Sequence, residues 1–261
     1  AKELARKVQP VVSMLEGSEG SRESHSFIVS LPGKWAGSQY HRVERRRMSI
    51  VTPDPTPGDT AWFTDARFGL FIHWGLYAMG ARHEWLKNQE QMDDARYERY
   101  FKFFDPDLYD PTLWAKAAAG AGMKYFVVTT KHHEGFCLWD SDVTDYKATN
   151  TPAGRDLLKP MVEAFRAEQM RVGFYHSLID WHHPDFTVDS VHPQRNLSED
   201  AKQKFDEGRD MKRYQKYLHS QVGELLTRFG QVDILWTDFS YADKGRAAWD
   251  SENLYALIRE K

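Results

Sequence analysis

Four short apolar runs, each ending in polar or aromatic residues, constrain the fold of this chain most. They are Phe68–Gly75, Lys124–His133, Arg171–Ser177 and Val232–Ser240. Runs of this length and composition read as buried parallel strands. The segments between them are long enough for helices. Thr112–Ala121 is Ala-rich and ends at glycines, and Asp156–Gln169 forms a second helix. One long helix is expected from Ser198 to Arg228, with Tyr214, Tyr217, Leu218, Val222, Leu225 and Leu226 on one face. Glu252–Glu260 begins another. Strand–helix alternation of this kind predicts an α/β fold with a parallel sheet and right-handed crossovers. Four such units make half of a (β/α)8-type barrel, so the expected architecture is barrel-related and truncated or incomplete. Such a half barrel exposes two sheet edges and an apolar face. The N-terminal residues, further polypeptide or a second copy of the chain (a homo-oligomer) would cover them.

Residues 1–58 read as an N-terminal extension and residues 59–261 as the barrel-type domain. Within the extension, residues 1–16 have near-helical apolar spacing, Phe27–Leu31 reads as a strand, and Pro53, Pro55 and Pro57 break the chain. The chain starts Ala1-Lys2-Glu3-Leu4 without a secretory apolar region, consistent with a cytoplasmic protein or one whose signal has been removed. No apolar run approaches membrane-spanning length. A net charge of −3 gives no reason for a nucleic-acid or membrane partner. The lone cysteine, Cys137, excludes an internal disulfide or a CxxC motif and reads as a buried apolar residue. Aromatics reach 14%, with 9 Trp and 12 Tyr, which leans toward carbohydrate because aromatic faces pack on sugar C–H faces.

In a parallel barrel the C-terminal strand ends meet at one mouth. Here those ends carry His73-Trp74, His132-His133-Glu134, Tyr175-His176, and Trp236 with Asp238. Asp238 is a strand-end acid with Trp236 two residues earlier on the same side. Alone, it reads equally well as a solvated loop acid or a helix cap. Two chemistries suit the whole set. Glycoside hydrolysis needs two carboxylates, with imidazoles and indoles to hold a sugar. Metal-dependent hydrolysis would draw on His73, His132, His133, His176, His182, His183 and Asp238. No HxH or HExxH motif supports the latter, and adjacent residues such as His132 and His133 are expected to diverge along a strand.

Several segments occur in an order that resembles the α-L-fucosidase family of retaining glycoside hydrolases. They are Phe71-Ile72-His73-Trp74-Gly75, Glu84-Trp85, Thr130-Lys131-His132-His133-Glu134-Gly135-Phe136, Phe174-Tyr175-His176-Ser177 and Trp236-Thr237-Asp238. The resemblance runs from about residue 62 to 261 and does not cover residues 1–58. It implies a cofactor-free barrel that removes terminal α-L-fucose from a fucosylated glycan or small fucoside by double displacement. Asp238 matches the family's nucleophile. His73, His132 and His133 match histidines that bind fucose hydroxyls. Glu84, Trp85, Tyr175 and Trp236 match pocket residues, and Glu134 reads as an acid behind the histidines that orients an imidazole. The departure is at the C-terminal end. In many members the acid/base Glu lies well beyond the nucleophile strand, whereas few residues follow Asp238 here. Glu84, matched in some members to the acid/base, is the in-chain candidate, and it should lie about 5–5.5 Å from Asp238. A fucose-binding barrel without turnover is the alternative.

Overall fold

The parallel core of the sheet comes from runs in which both faces are apolar, as a sheet covered on two sides requires. The computed structural model describes residues 11–16, 60–239 and 244–261. Strand β1 (Val11–Glu16) precedes helix α1 (Ala61–Ala66) and strand β2 (Phe68–His73). A 3-10 turn, Leu76–Gly80, leads to the short helices α2 (Leu86–Gln89) and α3 (Asp94–Lys102), then to α4 (Pro111–Gly120). Strand β3 (Tyr125–Lys131), α5 (Leu158–Ala167) and β4 (Arg171–Ser177) follow. The chain closes with α6 (Glu199–Asp206), α7 (Met211–Arg228), β5 (Ile234–Asp238), α8 (Arg246–Trp249) and α9 (Ser251–Glu260).

The five strands lie in sequence order, with β2 to β5 parallel and β1 antiparallel to β2. The parallel α/β expectation therefore holds. The helix expected over residues 1–16 does not hold for Val11–Glu16, which pairs along β2 from Val11 opposite His73 to Glu16 opposite Phe68. An open strand edge offers backbone partners that outweigh a short stretch's marginal helical preference. Residues 1–10 and the strand expected at Phe27–Leu31 lie outside the described residues.

Alternation along the strands sorts the side chains into two layers. Leu70, Ile72, Phe126, Val128 and Phe174 join the large core under the helices, where Phe126 stacks on Phe165 of α5 at 4.0 Å. Phe71, Tyr125, Val127 and Tyr175 form the opposite face. That face holds an apolar hollow between Phe63, Phe71, Tyr125, Ile234 and Trp236. Trp236 is 45% exposed, so β5 is a half-open edge strand and not the buried strand its sequence predicts. Among the described residues nothing pairs with its outer side. Four of the eight tryptophans among the described residues serve the core: Trp74, Trp139, Trp181 and Trp249 are buried.

Side-chain caps explain four of the helix starts. Asp93 accepts from the Arg96 N–H, and Asp110, followed by Pro111 at the first helical position, accepts from the Leu113 N–H. The single helix expected from Ser198 to Arg228 is two. Gly208 adopts a left-handed φ of +79°, and Asp210 caps α7 by accepting from the Lys212 N–H.

Gly173 lies on β4 between β3 and β5, with no room for a side chain. A Cβ there would lie 2.7 Å from Val127 Cγ2, 3.0 Å from the Phe126 carbonyl oxygen and 3.1 Å from Ile234 Cβ. Gly173→Ala is predicted to overpack the sheet and cost about 1–3 kcal/mol. Urea unfolding reads this directly, and an unchanged midpoint would contradict the packing described.

Candidate active site

Each strand end supplies one part of a compact cluster. His73 ends β2, and its ring stacks on Phe71 at 4.7 Å. Strand β3 ends at Lys131, and the chain then turns, with the Gly135 N–H donating to the His132 carbonyl at 3.0 Å. Because His132 and His133 lie in this turn and not on a strand, their rings do not diverge. Their centroids are 4.0 Å apart, which corrects the strand-based expectation. His73 and Tyr175 complete the ring cluster, each 5.7 Å from His132.

Asp238 ends β5 and is fixed by two donors. The Tyr175 hydroxyl donates to Oδ2 at 2.7 Å, and the Phe239 N–H donates to Oδ1 at 2.9 Å. The second bond requires the chain to turn sharply: Phe239 has a φ of +66°, rare for a residue with a side chain. Asp238 is thus neither a free loop acid nor a helix cap.

Trp85, at the start of α2, walls the cluster. It packs against His133 at 4.9 Å, Phe239 at 5.2 Å and Trp181 at 5.6 Å. Glu84 is half-buried beside it. Its charge reaches both His73 and His132, as does that of Asp238. Trp236 lies one pleat below Asp238 and packs edge-on against Phe71 at 5.5 Å. The sequence therefore brings His73, His132, His133, Tyr175, Trp85 and Asp238 together, with Glu84 at the rim and Trp236 deeper.

Three histidines go elsewhere. His176 points to the opposite face of β4, where it is buried between Thr130 and Trp139. His182 stacks on Tyr146 at 3.8 Å, and His183 lies on Tyr217 at 4.2 Å. Among the described residues no group of three or more His, Cys, Asp or Glu side chains has metal-binding geometry. Three of the seven side chains that a metal would draw on thus lie outside the cluster.

Three contributors escaped the sequence reading. Tyr77 meets His132 at 5.2 Å and Trp181 meets His133 at 5.4 Å. Ser177 Oγ lies 2.6 Å from His133 Nδ1. Ser177 shares its strand face with Tyr175, which is the signal that could have found it. The serine donates its one hydroxyl hydrogen to the Ile179 carbonyl at 2.7 Å. It must therefore accept from His133, which places the imidazole hydrogen on Nδ1 and leaves Nε2 as a lone pair.

Burial keeps these imidazoles neutral. It is the main cause that lowers His73 to about 4, aided by His132 and opposed by Glu84 and Asp238. Burial also lowers His132 to about 4 against the same two carboxylates. His133 falls well below 6.5, through burial and then the charges of His132, His73 and Lys131. Neutral rings each offer one N–H and one lone pair. The arrangement is two carboxylates beside neutral donors, acceptors and aromatic walls, which suits an uncharged polyhydroxyl ligand.

A family model described as alpha-L-fucosidase matches residues 44–261. The tissue alpha-L-fucosidase of Rattus norvegicus is 31% identical over 215 residues, which are 76% of this chain and 43% of that protein. Alpha-L-fucosidase isoenzyme 1 from Paenibacillus thiaminolyticus is 54% identical with a TM-score of 0.72, covering 77% of this chain and 47% of that one. An alpha-L-fucosidase from Bacteroides thetaiotaomicron, trapped as a covalent intermediate with 2-fluoro-fucosyl fluoride, is 33% identical with a TM-score of 0.60. The match covers 72% of this chain and 44% of that one. The chain thus spans less than half the length of each of these relatives.

The neutral histidines predict acid lability. Burial lowers His192 to about 3 in the folded state, and His73 and His132 to about 4, while unfolded histidine titrates near 6.5. The unfolded chain then binds more protons between these values. Their contribution is fully present above about pH 6.5 and is lost as pH falls toward 4. The urea midpoint should drop between pH 6.5 and 4.5, with a shallower drop in His192→Asn. A flat profile in the parent protein would show that these rings are solvated.

Proposed function

The chain belongs to the α-L-fucosidase family, and on that premise we propose that it carries the fucose site and nucleophile of a retaining α-L-fucosidase. The observation that supports this best is the Asp238 carboxylate, held by Tyr175 and Phe239 beside three neutral histidines. The ligand is a terminal α-L-fucosyl unit on a glycan or small aglycone. His73, His132 and His133 bind its hydroxyls, while Trp85 and Tyr175 line the sugar pocket. Trp236 lies beneath.

In the first step an Asp238 oxygen attacks the anomeric carbon. The bond to the leaving oxygen breaks, and a general acid gives that oxygen a proton. Glu84 is the in-chain candidate for this acid. In the second step the same residue takes a proton from water, which attacks the anomeric carbon and releases Asp238. The two inversions give net retention. The indole and imidazole walls exclude water from the attacking face.

The four parallel strands are, on this reading, one half of a (β/α)8-type barrel whose other strands pair beyond β5. The half-exposed Trp236 and the hollow it lines support that reading. A fucose-binding protein without turnover is the competing view. It predicts no burst of phenol even from an activated aryl fucoside, which hardly needs a general acid.

Asp238→Gly is predicted to abolish hydrolysis of aryl α-L-fucosides. Azide should restore part of it by entering the vacated face, giving a fucosyl azide of inverted configuration. Glu84→Gln should lose about 10²–10⁴-fold on a fucoside with a poor leaving group and far less on an activated one. Undiminished turnover by Asp238→Gly would refute the nucleophile. Equal losses on both substrates would remove Glu84 from the acid role.

A further inference from the structure

We propose that Glu134 is a positioning residue: its buried carboxyl shares one proton with His132 Nδ1 and fixes His132 in the tautomer opposite to that of His133. The neighbouring rings would then offer one N–H donor and one lone pair to adjacent sugar hydroxyls. The tautomer assignment stands on the protein alone. Its consequence for hydroxyl recognition rests on the fucoside reading.

Geometry carries the argument. Glu134 Oε2 lies 3.5 Å from His132 Nδ1, and both side chains are buried. Neither Glu134 oxygen nor His132 Nδ1 has a hydrogen-bond partner among the described residues. Glu134 Oε2 and His132 Nδ1, two unsatisfied buried atoms facing each other, are expensive unless a proton joins them. The 3.5 Å separation is longer than a strong hydrogen bond, and sharing a proton would draw the two atoms closer. Glycine at position 75 leaves room for the carboxyl, since a Cβ there would lie 3.2 Å from Oε1.

The direction of sharing follows from burial. An ion pair sealed from water is less favourable than a neutral acid beside a neutral imidazole. Burial pushes Glu134 up to about 8, and it outweighs the opposing pull of the residue's own backbone N–H and of the ammonium groups of Lys87 on α2 and Lys131 on β3. Asp180, after β4, pushes the same way as burial. The phenols of Tyr77, Tyr97 and Tyr146 face the carboxyl from three further segments, and burial, followed by the Glu134 charge, holds each well above 10. None of them competes as a proton acceptor near neutral pH. His132, lowered to about 4 chiefly by burial, is itself neutral there. One proton thus sits between the pair, on the carboxyl side. The Glu134 O–H donates to Nδ1, which places the imidazole hydrogen of His132 on Nε2. His133 is the reverse, because Ser177 accepts from its Nδ1–H.

Histidine-¹⁵N labelling of the full chain and two-bond ¹H–¹⁵N correlation read both tautomers without any sugar. At pH 7 the expected pattern is Nε2–H for His132 and Nδ1–H for His133. Glu134→Gln should keep it, because an amide N–H can also donate to Nδ1. Glu134→Leu should lose it at His132 alone. Should the Leu variant not fold, raising the pH through 8 serves instead: His132 changes tautomer in the parent protein and not in Glu134→Gln. A His132 Nδ1–H in the parent protein at pH 7, or a tautomer unmoved both by Leu and by alkaline pH, overturns the proposal. L-fucose titration separates the two layers. The Gln variant should bind like the parent, and the Leu variant about 10–100-fold more weakly. If the parent shows the expected tautomers and binds no fucose, the fucoside reading fails and the role of Glu134 stands.

Discussion

A buried ion pair holds the candidate site in shape. Lys131, at the end of β3, and Asp180, in the loop after β4, face each other at 3.4 Å with almost no solvent contact. A sealed ammonium is tolerable only with good partners. The ring faces of Tyr217 and Tyr214 supply more, at 5.0 and 5.9 Å. Asp180 also accepts from the backbone N–H groups of His182 and His183 and from the Tyr217 hydroxyl. Although burial pushes its carboxyl up, Lys131 and the nearby imidazoles hold it below its usual value. The turn that follows Lys131 wraps over this carboxylate. Gly135 has a φ of +90°, and a Cβ there would lie 2.2 Å from Asp180 Oδ1. Only glycine fits, and the tight turn throws both histidine rings to one side. The Trp181 N–H, donating to the His133 carbonyl at 2.8 Å, locks the two loops together.

That constraint links fold to chemistry. Parallel strands β2, β4 and β5 deliver His73, Tyr175 and Asp238 by register alone, since β-pairing sets Ser177 opposite Asp238 and Tyr175 opposite Trp236. The turn adds what a strand could not, two adjacent imidazoles pointing together. Burial then strips them of charge. A neutral, donor-and-acceptor-rich surface beside carboxylates suits a sugar, which has hydroxyls to orient and a cationic transition state to stabilise.

Much of this was legible in the sequence. Three of the strands carry β-rich runs on both faces, and the run Arg171–Ser177 coincides with β4 residue for residue. The ends of those runs named most of the cluster. What was hidden depended on tertiary partners. Val11–Glu16 reads as amphipathic helix until the edge of β2 is present to pair with it. The break between α6 and α7 was signalled by Gly208 and the capping Asp210, and helical periodicity on both sides masked it. His176 falls among the strand-end histidines in sequence, although its parity, one residue from Tyr175, sends it to the opposite face. Trp181 acts through the His133 ring, which no local pattern reveals, and Ser177 is signalled only by its parity with Tyr175. Trp236 looks like a core residue because its exposure depends on what lies beyond β5.

The central claim is that Asp238 forms a covalent bond to the sugar. Incubation with 2-deoxy-2-fluoro-fucosyl fluoride, which slows release of such an intermediate, followed by peptide mass spectrometry, tests it directly. The account predicts a fluorofucosyl adduct on the peptide containing Asp238, lost again on prolonged incubation in water. No adduct, or an adduct mapped to another carboxylate, would contradict it.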